Sequence, residues 1–380
     1  MHCSYCYYLE KGRFSTHGLQ TVMSEELLEK MINEAVRTSP GPVVSFVWHG
    51  GEPTLAGLAF YRKALQIERR CLPEGWTAWN NLQTNGLLLD DEWVSFLARR
   101  GFDVGISIDG SECVHDANRK DLGGRATYER VRESVLRCRK AGIRPDLLCT
   151  VNADTVRDPV GVYRNLRDLD TGWIQFIPIV VREENGPVEL KNAPGIRLSS
   201  KSVMPGQYGD FLTAVFDEWI THDLGKCDVQ LFSEMARVLS GQEASLCWMA
   251  RTCGRVLIAE EDGAVYSCDH FVDEEHRLGY LSDASLETLA NGKRQLDFGL
   301  EKESALTVQC RACPYLRFCN GACPKDRFGM SEDNEPGQYV LCGGLRAFFD
   351  HALQPMKSVM GWLRDGMDAE KAMHRVRRLL

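Results

Sequence analysis

Cys3 and Cys6 form a C-x-x-C at the start of the chain, in "MHCSYCYYLEKGRF", and two tyrosines follow at once. Two thiols on one turn are a natural pair of metal ligands, but a metal or cluster site needs more donors than two. Further thiols gather near the other end. Residues 310–323 read "CRACPYLRFCNGAC", a C-x2-C-x5-C-x3-C array. With Cys247, Cys253, Cys268 and Cys342, the array's Cys310, Cys313, Cys319 and Cys323 make eight thiols, enough for two four-thiolate sites. Zinc and iron–sulfur clusters both use such spacings, and the array alone leaves the two open. Cys71, Cys113, Cys138, Cys149 and Cys227 have no motif around them and read as small buried or loop thiols.

Fifteen cysteines are many for a chain of 380 residues. In a small secreted protein they would signal disulfides. No charged-then-apolar leader opens this chain, so ligation is the better reading and a cytoplasmic location is expected. A formal net charge of −8 excludes a general nucleic-acid binder, since there is no basic excess to neutralise phosphates. No apolar run reaches the ~18 residues of a membrane span, so no membrane partner is expected. The apolar fraction of 44% is ordinary for a globular protein, and the length suits two domains, or one large domain with an appendage.

The thiols need a scaffold. From residue 25 to about 222, helical patterns such as "EELLEKMINEAV" and "DEWVSFLARR" alternate with the short extended runs "VVSFVW", "TAWNNLQT", "DVGISID", "DLLCTV" and "WIQFIPIVV". Short apolar strands between helices of ten or more residues predict a parallel sheet with crossover helices. Each of these five strands ends in a polar loop or glycine turn, the end at which α/β barrels carry their chemistry. A sixth strand is expected just before the Cys3 loop, where the chain starts too late to contain it. The alternation stops near 222, short of eight strands. The α/β fold expected is therefore a partial (β/α)6 barrel over 1–225, its first strand apparently truncated.

Beyond residue 240, "RVLIAEEDGAVYSC" reads as a β-hairpin turning at Asp262-Gly263, with cysteines just outside its arms. The rest of 240–350 is cysteine-rich and short of apolar periodicity, so bound metal is expected to substitute for a core. Residues 351–380 read as a C-terminal packing helix.

"CSYCYY" at 3–8 resembles the end of the C-x3-C-x2-C loop of radical S-adenosylmethionine (SAM) enzymes, in which three thiolates hold a [4Fe–4S] cluster and the fourth iron stays open for SAM. "GGEP" at 50–53, "QTNG" at 83–86 and "SIDG" at 107–110 are similar to that superfamily's rim motifs, each after a strand. The C-terminal cysteines resemble the SPASM extension with its two auxiliary [4Fe–4S] clusters, the C-x9–15-G-x4-C hallmark standing here as Cys253, Gly263 and Cys268. Within the superfamily, "GGEPTLAGL", "HDANRKD", "IQF", "SCD" and "RLGYL" look like segments of the anaerobic sulfatase-maturating enzymes, in their order. This resemblance covers essentially the whole chain.

The resemblance implies three [4Fe–4S] clusters and SAM as cofactors. Cys3 and Cys6 would ligate the SAM cluster. Tyr5 would place its backbone near adenine, and Gly51, Ser107, Arg119 and Val180 match SAM contacts. Cys247, Cys253, Cys268 and Cys323 would hold one auxiliary cluster, and Cys310, Cys313, Cys319 and Cys342 the other. Asp269 matches the catalytic base, and Tyr8 a tyrosine lining the substrate pocket. Plainer readings stand beside these: a strand-end cap for Ser107, a surface ion pair for Arg119, core for Val180, a turn residue for Asp269 and a packing aromatic for Tyr8.

The chain departs from the family pattern in two ways. The first loop cysteine would fall before Met1, and a truncation upstream, such as an internal methionine taken as the start, accounts for that gap and for the missing strand. The SAM cluster is then expected to assemble poorly. His49 stands where the family has a glutamine thought to contact the substrate.

The implied reaction converts an active-site Cys or Ser of a sulfatase polypeptide to Cα-formylglycine, with a low-potential electron donor as a second partner. A 5′-deoxyadenosyl radical takes a Cβ hydrogen, Asp269 takes the thiol or hydroxyl proton, and an electron leaves through an auxiliary cluster. The rivals are a SPASM enzyme that forms thioether or carbon–carbon crosslinks in a ribosomal peptide, and a non-catalytic metal-binding protein.

Overall fold

Short runs of β-branched and aromatic residues, each followed by a helix with one apolar stripe, leave little choice but a parallel sheet covered on one side. The computed structural model describes residues 1–6, 8, 22–254 and 256–380. Its main sheet comprises β1 (Val43–Trp48), β2 (Thr77–Thr84), β3 (Asp103–Ser107), β4 (Asp146–Val151), β5 (Trp173–Pro178) and β6 (Asp228–Val229). All neighbours are parallel, in the order β6-β5-β4-β3-β2-β1. Right-handed crossovers that never reverse direction put the helices on one face, the singly wound arrangement of a barrel left open. All strand C-termini share one rim.

The sixth strand of this sheet differs from expectation. Asp228 and Val229 pair with Trp173 and Ile174 of β5, and the helix Gln230–Leu239 follows, so alternation runs past residue 222. A two-residue strand has no periodicity to read, and only its neighbours reveal it.

Burial follows the pleat. In β1, Val44 and Phe46 pack with Leu28, Ile32 and Val36 of the helix Glu25–Thr38 and with Ala64 and Ile67 of the helix Gly57–Cys71. Val43 and Val47, on the opposite face, are exposed. Helix starts are capped as their sequences suggest: Ser24, Asp90 and Asp158 accept from Leu27 N, Trp93 N and Gly161 N.

The C-terminal part shares the barrel's core. The expected hairpin pairs Ile258–Ala259 with Ala264–Tyr266, and Gly263 takes φ +84° in its turn. A third strand, Arg277–Tyr280, joins it. The 23-residue helix Cys342–Arg364 packs on the helix Pro205–His222 at paired glycines. A Cβ on Gly344 would lie 1.8 Å from Pro205 O, and one on Gly209 2.6 Å from Gly344 O. The limit expected at residue 350 lies inside this helix. Among the described residues no helix is long and apolar enough to cross a membrane.

One buried carboxyl makes a pH prediction. Glu68 is only 3% exposed; its Oε2 accepts from Asn80 Nδ2 at 3.0 Å, and its buried Oε1 has no partner among the described residues. Burial pushes this carboxyl up to about 7 from a usual 4.5. A raised folded-state pKa means the contribution to stability is complete below the unfolded pKa and is lost as pH rises through 7. The shift corresponds to about 3 kcal/mol. Thermal unfolding of the parent and Glu68→Gln at pH 5 and pH 8 should show the variant gaining most of that amount relative to the parent at the higher pH. Parallel pH dependences would mean that Glu68 is already ionised in the fold.

Candidate active site

The cysteine loop is held at the rim by a neighbouring loop. His2–Cys3 pairs antiparallel with Arg119–Lys120, Cys3 opposite Arg119. Ser4 donates through N to Asn118 O at 3.0 Å and through Oγ to Asn118 Oδ1 at 2.9 Å. Cys6 N donates to Cys3 O at 3.2 Å, so both thiols belong to one turn.

Behind that turn is Asp109, fully buried just beyond β3. Its carboxylate accepts from Arg119 Nε at 2.8 Å and Nη2 at 3.2 Å, from Thr150 N of β4 at 2.9 Å, and from Tyr5 Oη. Burial opposes ionisation, but the Arg119 guanidinium outweighs it and holds Asp109 below the usual carboxylate range. Arg119 Nη1 reaches to 4.0 Å from Cys3 Sγ. Asp109 N donates to His115 Nδ1, and the ring's other nitrogen lies 3.0 Å from Thr127 Oγ1, which in turn donates to Arg119 O. Burial lowers the His115 pKa to about 4, so the ring is neutral, as an accepting Nδ1 requires. Arg119 thus forms a buried ion pair, where the plainer sequence reading had a surface one.

The other rim motifs are joined by a second carboxylate. Glu52 of GGEP accepts from Thr54 N and Oγ1, from Thr84 Oγ1 at 2.6 Å and from Asn85 N at 2.8 Å, tying the loop after β1 to the loop after β2. Gln83 Nε2 donates to Ser107 Oγ at 3.4 Å, tying β2 to β3. Gly51 is exposed, and a Cβ added there would meet no protein atom within 4 Å, so protein packing does not demand the glycine. Open space beside bare backbone fits a cofactor that must come close. Val180, beyond β5, belongs to the core. Tyr8 Oη lies 2.9 Å from His49 Nδ1, with ring centroids 5.4 Å apart, so the two substrate-pocket candidates meet.

In the C-terminal part Cys310, Cys313, Cys319 and Cys342 line one cavity. Gln338 spans it, donating to Cys342 Sγ at 2.9 Å and accepting from Cys310 Sγ at 3.4 Å. Burial pushes Cys319 to about 12 and Cys342 to about 11, so ligation there requires a metal strong enough to displace the protons. Cys247, meanwhile, stands within electrostatic reach of Cys253 and Cys323, and Cys323 of Cys268. Cys319 and Cys323, four positions apart, therefore face different groups. The residues between them, Asn320, Gly321 and Ala322, all have positive φ (44°, 73° and 58°), a left-handed turn that swings the second thiol away from the first. Among the described residues, no three Cys, His, Asp or Glu side chains are grouped to hold a single metal ion. Four thiols lining one cavity suit a four-cysteine metal site of either kind, a cluster or a zinc. Cys268 Sγ donates to Asp269 Oδ1 at 3.2 Å, which puts that carboxylate beside the second group.

Comparison with known proteins agrees with this layout. The radical SAM superfamily pattern matches residues 1–161, and an iron–sulfur cluster-binding domain, SPASM, matches 247–314. A serine-type anaerobic sulfatase-maturating enzyme of Bacteroides thetaiotaomicron is 39% identical over 92% of this chain and 85% of its own. The chain belongs to the anaerobic sulfatase-maturating enzymes. A cysteine-type anaerobic sulfatase-maturating enzyme of Clostridium perfringens is 30% identical over 94% of both chains. A solved structure, native anSMEcpe with bound AdoMet and Kp18Cys peptide, superposes with a TM-score of 0.83 at 29% identity over 95% of both chains.

For a member of the sulfatase-maturating family, two rim residues do not stand out in the sequence. Asp109 and Glu52 lie inside the SIDG and GGEP motifs, whose serine and glycine carry the likeness to SAM contacts. Their roles as anchors of neighbouring loops could have been inferred from a carboxylate ending a buried strand. Lys302 and Arg327, both packed among the C-terminal thiols, carried no signal at all.

Proposed function

We propose that this radical SAM enzyme oxidises an active-site Cys or Ser of a sulfatase polypeptide to Cα-formylglycine. The observation that carries the reading is the end-to-end likeness to both serine-type and cysteine-type maturases. The grouping of the C-terminal thiols supports it: Cys310, Cys313, Cys319 and Cys342 line one cavity, and Cys247, Cys253, Cys268 and Cys323 gather in a second group.

On this reading Cys3 and Cys6 ligate the SAM cluster. Arg119 and Asp109 fix the turn that carries them, and Tyr5, Gly51, Ser107, Arg119 and Val180 border the SAM pocket. The eight C-terminal cysteines hold two auxiliary clusters, in the groups that one cavity and the proximity of the other four thiols suggest. When bound, SAM and the clusters supply a radical able to take a Cβ hydrogen and an outlet for the electron left behind. The protein's own task is to present the peptide, with Tyr8 and His49 beside it, and to take the thiol or hydroxyl proton at Asp269. From serine the aldehyde forms directly; from cysteine a thioaldehyde adds water and loses hydrogen sulfide. A low-potential donor must supply the electron that starts each turnover.

The test is anaerobic incubation of reconstituted protein, expressed from its complete reading frame, with SAM, reductant and a Cys or Ser peptide from a sulfatase. Formylglycine detected by mass is the expected result; a thioether or carbon–carbon crosslink instead would sink the reading. The same protein should bind about twelve irons, three four-iron clusters' worth. Cys310→Ala should lower that by about one cluster. Zinc at these sites, with no visible chromophore, would reject the cluster assignment.

A further inference from the structure

We propose that Lys302 and Arg327 are the counter-charges of the two auxiliary iron–sulfur sites, Lys302 serving the Cys247/Cys253/Cys268/Cys323 site and Arg327 standing between both. The inference rests on the reading that these cysteines hold clusters.

Lys302, on the helix Lys293–Ser304, is 1% exposed. Its Nζ donates to Cys247 O at 2.8 Å and Trp248 O at 2.9 Å. Arg327 donates to Gly321 O at 2.7 Å, Asn320 O at 2.5 Å, Ala322 O at 3.2 Å and Lys302 O at 2.6 Å. Among the described residues, every hydrogen bond from either cationic head goes to a backbone carbonyl, and neither forms an ion pair with a carboxylate. Carbonyl dipoles satisfy N–H groups but do not neutralise a buried charge, which costs several kcal/mol when left without a counter-ion. A lysine kept at the centre of a cysteine-rich domain needs an anion.

The thiols are what surround these cations. Lys302 is within electrostatic reach of Cys253, Cys323 and Cys247, all of one group. Arg327 reaches Cys310 and Cys319 of one group and Cys253 and Cys323 of the other. A four-iron core ligated by four thiolates is a net anion, and more so when reduced. Cations held beside it favour the reduced form and raise its reduction potential.

Arg327 has a second grip. Its three carbonyl acceptors at 320–322 are the left-handed turn between Cys319 and Cys323, one ligand of each group. A Cβ on Gly321 would lie 2.5 Å from Arg327 Nη2, so the guanidinium packs directly against that turn. One side chain therefore fixes the step from one group to the other and places positive charge between them.

The test is a potentiometric titration of the reconstituted protein followed by electron paramagnetic resonance, with iron counted alongside. The parent is measured first: if it gives no iron–sulfur signal, the reading of the cysteines fails before any variant is compared. Lys302→Met, neutral and of similar length, should keep its iron and move one auxiliary midpoint to more negative potential while the other holds; Lys302→Arg should stay near the parent. If Lys302→Met loses iron, Lys302→Gln, which keeps a donor for the Cys247 and Trp248 carbonyls but carries no charge, is titrated in its place with the same shift expected. Retained iron with both midpoints unmoved, or iron lost in both variants, overturns the proposal and leaves Lys302 a packing residue. Arg327→Gln is set against Arg327→Lys in the same way, except that both midpoints should move. A shift confined to one of them removes Arg327 from its bridging place.

Discussion

Asp269→Asn is expected to cut formylglycine formation from a sulfatase-derived Cys peptide by ~10²–10⁴-fold, the usual cost of losing a general base, while SAM cleavage largely survives. The asparagine keeps size and polarity but cannot take the proton. In the structure Asp269 Oδ1 accepts from Cys268 Sγ at 3.2 Å, which fixes the carboxylate at the edge of the second thiol group. On the proposed reading Cys268 ligates iron and donates no proton, and the carboxylate's task is to take one from the substrate thiol or hydroxyl. Radical generation, on the same proposed reading, belongs to the rim, at Cys3 and Cys6, and does not need this carboxylate. The decisive quantity is therefore the ratio of 5′-deoxyadenosine to formylglycine, compared between parent and variant. A large rise supports the base. An unchanged ratio at normal turnover would leave Asp269 a turn residue, and equal loss of both products would point to damage at the adjoining cluster.

Asp109→Ala should act at the opposite end of the chemistry. It removes the partner of a guanidinium whose side chain is only 8% exposed, and breaking a buried pair from one side typically costs on the order of 3–5 kcal/mol. It also takes away the acceptor of Thr150 N and Tyr5 Oη, so the rim between β3 and β4 loses its fastening together with the cysteine turn. A lower melting temperature in the iron-free protein, about one cluster less iron after reconstitution and loss of 5′-deoxyadenosine formation are expected together. Asp109→Asn, which still offers an oxygen to Thr150 N, should do less harm. A variant that melts normally and cleaves SAM would show that the Cys3 turn is held in place by its backbone ladder alone.

Much of this was legible in the sequence because it follows from local pattern. The five long strands alternate with amphipathic helices and announce themselves by period, as does the hairpin by its Asp262-Gly263 turn. Two-residue β6 has no period, and Arg277–Tyr280, with its glycine and arginine, does not look like a strand until its partner is seen. The motifs located the rim residues but not their fastening. That Asp109 joins Tyr5, Arg119 and Thr150 depends on a buried meeting point of three separate segments, which no spacing encodes. The interleaving of Cys319 and Cys323 came from family likeness alone. The left-handed turn at 320–322 supplies its physical cause, and an "NGA" tripeptide hints at such a turn only once the two thiols are known to belong to different groups. Lys302 and Arg327 look like ordinary surface charges in the sequence, since burial among thiols is a property of the fold.

The ladder between His2–Cys3 and Arg119–Lys120 also bears on how a new molecule comes together. Its strands join residues 116 positions apart. At ordinary elongation rates, the ribosome needs on the order of ten seconds to deliver the second strand after the first. Through that interval Cys3 and Cys6 have neither their backbone partner nor the Arg119–Asp109 pair behind them, and β1, β2 and β3 are synthesised before either arrives. If Cys3 and Cys6 hold a cluster as proposed, their turn is complete only once Arg119 and Lys120 have been made and paired with it.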